Sequence, residues 1–287
     1  MYEDFYALKE RPFRMTADPD FVYWSEMHGL AFTMLRYGLT SRAPITVITG
    51  DVGTGKTTLI RHLMNDLPPD VEVGLVSNMQ EGRGDLLDWV MLSLDEPLTD
   101  ASYMKNFQRF QERLIETYAE GRRTILIFDE AQNMGMTSLE ELRMLSNINA
   151  DKDDLLQIVL IGQQQLRERL HRPELTQLLQ RVAADYHMGA LDREDTARYI
   201  GHRLSVAGAQ WEIFPERTCD LIHEATGGVP RLINSLCDFC LVYGFSCGER
   251  TIRESTVRDF LAGARQVGIF ASFNKLQDSP TLVSQRS

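Results

Sequence analysis

One eight-residue stretch constrains this chain more than any other. Gly50-Asp51-Val52-Gly53-Thr54-Gly55-Lys56-Thr57 fits the pattern G-x-x-x-x-G-K-[ST], directly after the apolar run Ile45 to Thr49 and directly before the helical pattern Lys56 to Met64. A strand, a glycine-rich turn and a helix N-terminus in that order make a cradle for phosphate. Glycines stand where a Cβ would collide with phosphate oxygens, and the freed N–H groups together with the helix end hold negative charge. Residues Gly50, Asp51, Val52, Gly53, Thr54, Gly55, Lys56, Thr57 and Thr58 are therefore expected to line a nucleotide site. Lys56 would contact the β- and γ-phosphates, and the Thr57 hydroxyl would sit on Mg²⁺, a hard cation that takes few protein oxygens. The expected ligands are ATP and Mg²⁺; a glycine-rich turn without a ligand is the plain alternative.

A second stretch supplies the chemistry that a bare cradle lacks. Thr124-Ile125-Leu126-Ile127-Phe128-Asp129-Glu130 is an apolar strand closing on two carboxylates, read here as lying beside the phosphate strand. Asp129 would hold Mg²⁺ through its water shell, and Glu130, one residue further, would orient and activate the attacking water. Solvated acids before a turn are the simpler explanation of the pair taken alone. Lys56 in the same chain weighs against it.

The rest of the chain gives these motifs a frame. Five short runs read as strands: Ile45 to Thr49, Val71 to Ser77, Thr124 to Phe128, Leu156 to Ile161 and Asp185 to Leu191, the first four as buried parallel strands. Helical patterns fall near His28 to Leu39 and at Lys56 to Met64, Leu86 to Leu94, Tyr103 to Glu120 and Ser138 to Asn147, the alternation of a sheet covered on both faces. After Leu191 helical periodicity takes over, with caps expected at Asp192 and Pro215 and a break at Gly227-Gly228. The expected fold class is α/β, a P-loop NTPase parallel sheet flanked by helices and followed by a small all-helical lid. The segmentation expected is an N-terminal arm and first helix at 1–40, an α/β core at 41–191, a helical lid at 192–265 and a disordered tail at 266–287.

Charge and cysteine usage narrow the setting. A formal net charge of -11 repels phosphates over the surface as a whole, so nucleic acid would need a local basic patch; the balance weighs against DNA binding without excluding it. Neither a leader peptide nor an apolar run near the ~20 residues of a membrane span is found, and a cytoplasmic place is expected. Cys237 and Cys240 form a C-x-x-C, but the apolar spacing of Arg231 to Phe245 is helical and lacks the turn a zinc knuckle needs, so buried structural thiols are expected.

Further motifs carry a resemblance. Phe5-Tyr6-Ala7-Leu8 with Pro12-Phe13 and Asp18-Pro19 at the front, then Asp129-Glu130-Ala131-Gln132, Ile161-Gly162-Gln163, Gln180-Arg181 and Gly227-Gly228-Val229-Pro230-Arg231-Leu232-Ile233-Asn234, together resemble the AAA+ superfamily. More narrowly they are similar to its ExeA/GspA-type ATPases of secretion and envelope systems, over roughly residues 1 to 262. The resemblance implies ATP hydrolysis, with Gln163 sensing the γ-phosphate from the end of the fourth strand and Gln164 and Gln165 blurring that choice. It implies that Arg181 enters a neighbouring subunit's site as an arginine finger, and that Arg231 is the lid arginine that reaches the γ-phosphate. An arginine ending a helix and a helix-end ion pair are their plain alternatives. Asn78 resembles the polar residue that restrains the catalytic glutamate, and an ordinary loop amide accounts for it equally. Pro12, Phe13 or Phe21 would wall the adenine, or simply pack.

The implied function is an ATPase that drives or regulates assembly of a secretion or exopolysaccharide machine. Its implied partners are further copies of itself, with ATP at the subunit interfaces, and a protein of that machine, with attachment to the inner membrane through partners. The membrane span and periplasmic region of the full-length pattern are not found, which brings the stand-alone ATPases of exopolysaccharide or exosortase systems closer. A DNA-associated regulator resembling TniB and TnsC is the alternative, against which the acidic balance speaks.

Overall fold

A computed structural model describes residues 1–15, 19–77, 79, 82, 84–97, 102–149 and 154–267. The chain divides into two compact units: Glu26–Gly189, and Met1–Ser25 together with the chain from Ala190 onward. The first forty residues thus belong to both units, the arm to the second and the first helix to the first. Asn78 and the Ala17-Asp18 turn lie outside the described residues, as does the tail beyond 267.

The first unit runs α1 (Glu26–Thr40), β1 (Ile45–Gly50), α2 (Lys56–Asp66), β2 (Val71–Ser77), α3 (Leu86–Ser93), α4 (Tyr103–Ala119), β3 (Arg123–Asp129), α5 (Met136–Leu145), β4 (Leu156–Gly162), α6 (Gln164–Leu170), α7 (Thr176–Leu179) and β5 (Val182–Met188). The five strands form one parallel sheet in the order β2-β3-β4-β1-β5. Because side chains alternate along a strand, each central strand feeds two cores. Ile45, Val47, Leu126, Phe128, Ile158 and Leu160 join the α3, α4 and α5 side, while Ile48, Ile125, Ile127, Val159 and Ile161 join the α1 and α2 side. Each of these fully buried apolar side chains contributes about 1.5–3 kcal/mol.

Three sequence expectations change here. The Asp129 strand does not lie beside the phosphate strand: β4 stands between β3 and β1, pairing with both. Apolar runs of similar composition carry no signal of their lateral order, which only long-range pairing settles. Of the four strands expected to be buried, β2 is an edge strand with exposed positions such as Leu75, because only one neighbour covers it. The fifth strand begins and ends three residues earlier than expected, since pairing with β1 starts at Val182 against Ile45. Leu191 is already committed elsewhere, its N–H donating to the Gly228 carbonyl at 2.9 Å.

The second unit holds α8 (Arg193–Val206), α9 (Glu216–Thr226), α10 (Pro230–Cys247) and α11 (Glu254–Val267). Asp192 caps α8 by accepting the Asp195 N–H at 2.7 Å, Pro215 occupies the N-cap of α9, and Gly227 ends that helix in the left-handed region at φ 60°. Gly228, at φ 73°, lies so close to Leu191 that a Cβ would sit 1.9 Å from its carbonyl oxygen. The arm is part of this unit's core. Tyr6, with no exposed surface, donates its hydroxyl to the carbonyls of Leu241 and Glu249, and Tyr2 bonds Asp238. Pro12, Phe13 and Phe21 are buried: the Pro12 carbonyl accepts from Arg203 Nε, Phe13 meets Phe214 edge-on, and Arg203 lies over the Phe21 ring. In this structure all three pack within the unit. Cys237 and Cys240 sit one turn apart on α10, free and buried, and burial pushes both thiols up, Cys240 to about 12. Cys247 is exposed.

Candidate functional site

In a parallel α/β sheet the strands' carboxyl ends leave a rim where loops can gather polar groups. Here β1, β3 and β4 deliver Lys56, Asp129, Glu130 and Gln163 to that rim.

The turn after β1 is held by the protein itself. Gly55 precedes α2 at φ 98°, and a Cβ there would sit 2.8 Å from Nε2 of His28, which pairs with the Thr54 carbonyl at 3.0 Å. At Gly50 a Cβ would meet the Met188 carbonyl of β5 at 2.7 Å. The glycines therefore answer to neighbouring backbone and to His28 as much as to any ligand. The Thr54 hydroxyl donates to the Asp51 carbonyl at 2.9 Å, bracing the turn from within. Lys56, 6% exposed, folds back and donates Nζ to the carbonyls of Gly50 and Asp51, both at 2.7 Å. Burial lowers the pKa of its amine, opposed by the charges of Glu130, Asp129 and Asp51. Val52 and Thr57 are exposed, and Thr58 is half-buried behind them.

Across the rim, Asp129 is half-buried at the end of β3 and accepts the Glu130 N–H on Oδ1 at 2.9 Å. Burial raises its pKa, the Glu130 N–H lowers it, the Glu130 charge raises it and Lys56 lowers it. Glu130 has left-handed backbone, φ 56° and ψ 36°, and starts the short turn Ala131–Asn133. That conformation costs a non-glycine residue on the order of 1 kcal/mol. It also turns the chain sharply, so that Gln132 comes back against Glu130. The Glu130 Oε2 accepts from Gln132 Nε2 and, at 3.1 Å, from Gln163 Nε2. Gln132, buried, accepts the Gln163 N–H on Oε1 at 2.9 Å.

The residues expected from the sequence divide accordingly. Lys56, Asp129 and Glu130 share one electrostatic neighbourhood, and Gln163 bonds Glu130 directly, whereas Gln164 and Gln165 are exposed and Gln164 pairs with Glu168 along α6. Arg181 lies at the other edge of the sheet, just before Val182, which pairs with the first residue of β1. Along the six residues of β1 that is about 17 Å from the cradle. It is half-buried rather than exposed, donating Nη1 to the carbonyl and hydroxyl of Ser146 at 3.0 and 3.2 Å. Arg231 is exposed in the first turn of α10, in the helical unit. In the sequence Gln132 is only the last position of Asp129-Glu130-Ala131-Gln132; its signal is a polar residue three after the first strand-end carboxylate, in a chain where β4 is also followed by an amide.

The donor set fits Mg²⁺. The hydroxyl of Thr57 and a carboxylate are hard oxygens, and Mg²⁺ bound beside phosphates needs only one or two protein ligands. Among the described residues no cluster of three or more His, Cys, Asp or Glu could hold a metal by itself.

A parallel five-stranded sheet with the order β2-β3-β4-β1-β5, a phosphate turn after β1, acids after β3, an amide after β4 and a helical unit following define a P-loop NTPase of the AAA+ class. Residues 39–170 match the family model described as AAA domain. The chain thus carries an AAA domain and is similar to the ExeA/GspA-type ATPases. It is 39% identical over 253 residues to General secretion pathway protein A of Aeromonas hydrophila, covering 88% of this chain and 46% of that protein, so the chain spans under half of its relative's length. Among solved structures, the Aeropyrum pernix ORC2 protein aligns with a TM-score of 0.60 at 18% identity, over 88% of this chain and 71% of that one. Drosophila ORC bound to DNA aligns with a TM-score of 0.64 at 16% identity, over 91% and 67%. At these identities the likeness speaks for the fold alone.

Proposed function

We propose that this chain hydrolyses ATP to ADP and phosphate, with Mg²⁺, to drive or regulate assembly of a cell-envelope secretion or exopolysaccharide machine. The observation that carries the enzymatic part is the meeting of Lys56, Asp129, Glu130 and Gln163 on one rim, with Glu130 held by amides through a single oxygen. The turn from Gly50 to Thr58 would grip the triphosphate, Lys56 leaving its carbonyl partners for the β- and γ-phosphates. Thr57 and Asp129 would hold Mg²⁺, which neutralises phosphate charge. Glu130 would orient the water and take its proton as the oxygen bonds to the γ-phosphorus and the bond to ADP breaks. Gln163, at the N-cap of α6, would read the γ-phosphate.

The secretion setting draws on the relative named above, and the exopolysaccharide setting on the front and lid motifs. No helix among the described residues is long and apolar enough to cross a membrane. A cytoplasmic ATPase attached through a protein partner is the arrangement proposed. Self-association would place Arg181 in a neighbour's site, and Arg231 would couple the helical unit to nucleotide state.

Turnover measured across a wide dilution series tests this reading. ATPase activity per subunit should rise with protein concentration, Lys56→Ala should lose nucleotide binding, and Glu130→Gln should bind ATP without turning it over. A wild-type protein that binds no ATP, or binds it and never releases phosphate, contradicts it.

A further inference from the structure

Glu130 is held by more than the residue expected to sense phosphate, and the second amide deserves a role of its own. Gln132 is 8% exposed and both ends of its side chain are engaged. The backbone N–H of Gln163 can only donate, so the group 2.9 Å from it must be the amide oxygen of Gln132. The amide nitrogen must then face Glu130, and the orientation of the side chain follows from its partners rather than from an arbitrary choice between oxygen and nitrogen. The fit is close: a Cβ on Gly162 would lie 2.9 Å from the same amide oxygen. Both donors to Glu130, from Gln132 and from Gln163, converge on Oε2, and Oε1 accepts no hydrogen bond among the described residues.

We infer that Gln132 is a positioning residue, which fixes the Glu130 carboxylate to the end of β4 and reserves Oε1 for the attacking water. The left-handed backbone at Glu130 brings Gln132 within reach, and the Gln163 N–H locks its amide, so the Glu130 carboxylate cannot rotate without breaking its bonds to Gln132 and Gln163. The inference rests on the hydrolytic reading above, because a carboxylate that activates no water gains nothing from being aimed.

Two near-isosteric variants of the full chain separate aiming from architecture. Gln132→Met keeps length and bulk and loses both hydrogen bonds; Gln132→Glu keeps the acceptor for the Gln163 N–H and sets a carboxylate against Glu130. Steady-state turnover, the Kd for a fluorescent ATP analogue and the melting temperature are measured for each. Positioning predicts that kcat falls at least tenfold in Gln132→Met with Kd within twofold of wild type. It also predicts that Gln132→Glu is no faster than Gln132→Met even where it melts higher. Wild-type kcat in Gln132→Met, kcat and Kd worsening together in both variants, or rates that follow melting temperature, with Gln132→Glu the better enzyme, would overturn the inference. A silent wild type would overturn it together with the hydrolytic reading, and only in that case is the wild-type rate itself zero.

Discussion

Two buried glutamines sit at opposite edges of the same sheet and are used in opposite ways. Gln157, second in β4 and 2% exposed, donates Nε2 toward the carbonyls of Gly38, Leu39 and Ala43, at 3.3, 3.4 and 3.3 Å, and lies 3.5 Å from Nη1 of Arg123, which also bonds Leu39. It ties the last turn of α1 to the entry to β1, sharing the Gly38 carbonyl with the Ala43 N–H and the Leu39 carbonyl with Arg123, and supplying a donor to the Ala43 carbonyl. Gln132, at the carboxyl edge, donates instead to a carboxylate on strained backbone. The same side chain is architectural where its partners are backbone carbonyls and functional where its partner is a group with chemistry of its own. Burial alone does not tell the two apart; the identity of the acceptor does.

The difference is most sharply broken at Glu130 itself. Glu130→Gln should lower kcat by about 10²–10⁴-fold with ATP affinity preserved, the range expected for loss of a general base; single-turnover phosphate release measures it. Removing Arg181 tests whether the amino edge is as quiet as Gln157 suggests. Acting in a neighbour's site, Arg181→Ala should abolish the rise of activity with protein concentration, a loss of at least about tenfold at high concentration, while the dilute rate stays unchanged. A variant that merely melts earlier, with the concentration dependence intact, would return Arg181 to its bonds with Ser146.

Gln157→Leu is the architectural counterpart. It should cost about 1–3 kcal/mol by chemical denaturation, since the Ala43 carbonyl loses its donor, and leave kcat per folded molecule unchanged. The smallest effect is expected at Asp129 in metal-free protein. Burial raises its folded pKa above the ordinary 3.8, so stability is lost as pH climbs from that value through the folded pKa. Asp129→Asn should therefore melt slightly higher than wild type at pH 7 in a chelator, with the gap closing toward pH 3.8, although the variant loses Mg²⁺-dependent turnover. An unchanged or lower melting temperature at pH 7 would show that the carboxylate is not held against its own stability.

What could be read from the sequence was what is local. The turn from Gly50 to Thr57, the acids after β3 and the helix punctuation at Asp192, Pro215 and Gly227 each depend on a few consecutive residues, and the structure has them in those places. Choosing among Gln163, Gln164 and Gln165 needed the direction of a side chain at the end of β4. The role of Gln132 needs β4 beside β3, a lateral order on which apolar runs of similar composition carry no signal. The bonds of Arg181 to the end of α5 join residues 35 apart in the chain, a distance over which periodicity carries no information. The division of the first forty residues was hidden for a similar reason: the arm's aromatics read as a lead-in to α1, yet their partners Asp238, Leu241 and Phe214 lie some two hundred residues later.

On the proposed reading, the cradle after β1 and the acids Asp129 and Glu130 at the end of β3 serve one nucleotide across the intervening β4. A crystal structure with a non-hydrolysable ATP analogue and Mn²⁺ in place of Mg²⁺ examines it directly. Expected are an anomalous peak between Thr57 and Asp129, Lys56 turned from the Gly50 and Asp51 carbonyls onto the phosphates, and Oε1 of Glu130 facing the γ-phosphate. Manganese bound elsewhere, or an analogue seated away from the Gly50–Thr58 turn, would contradict it.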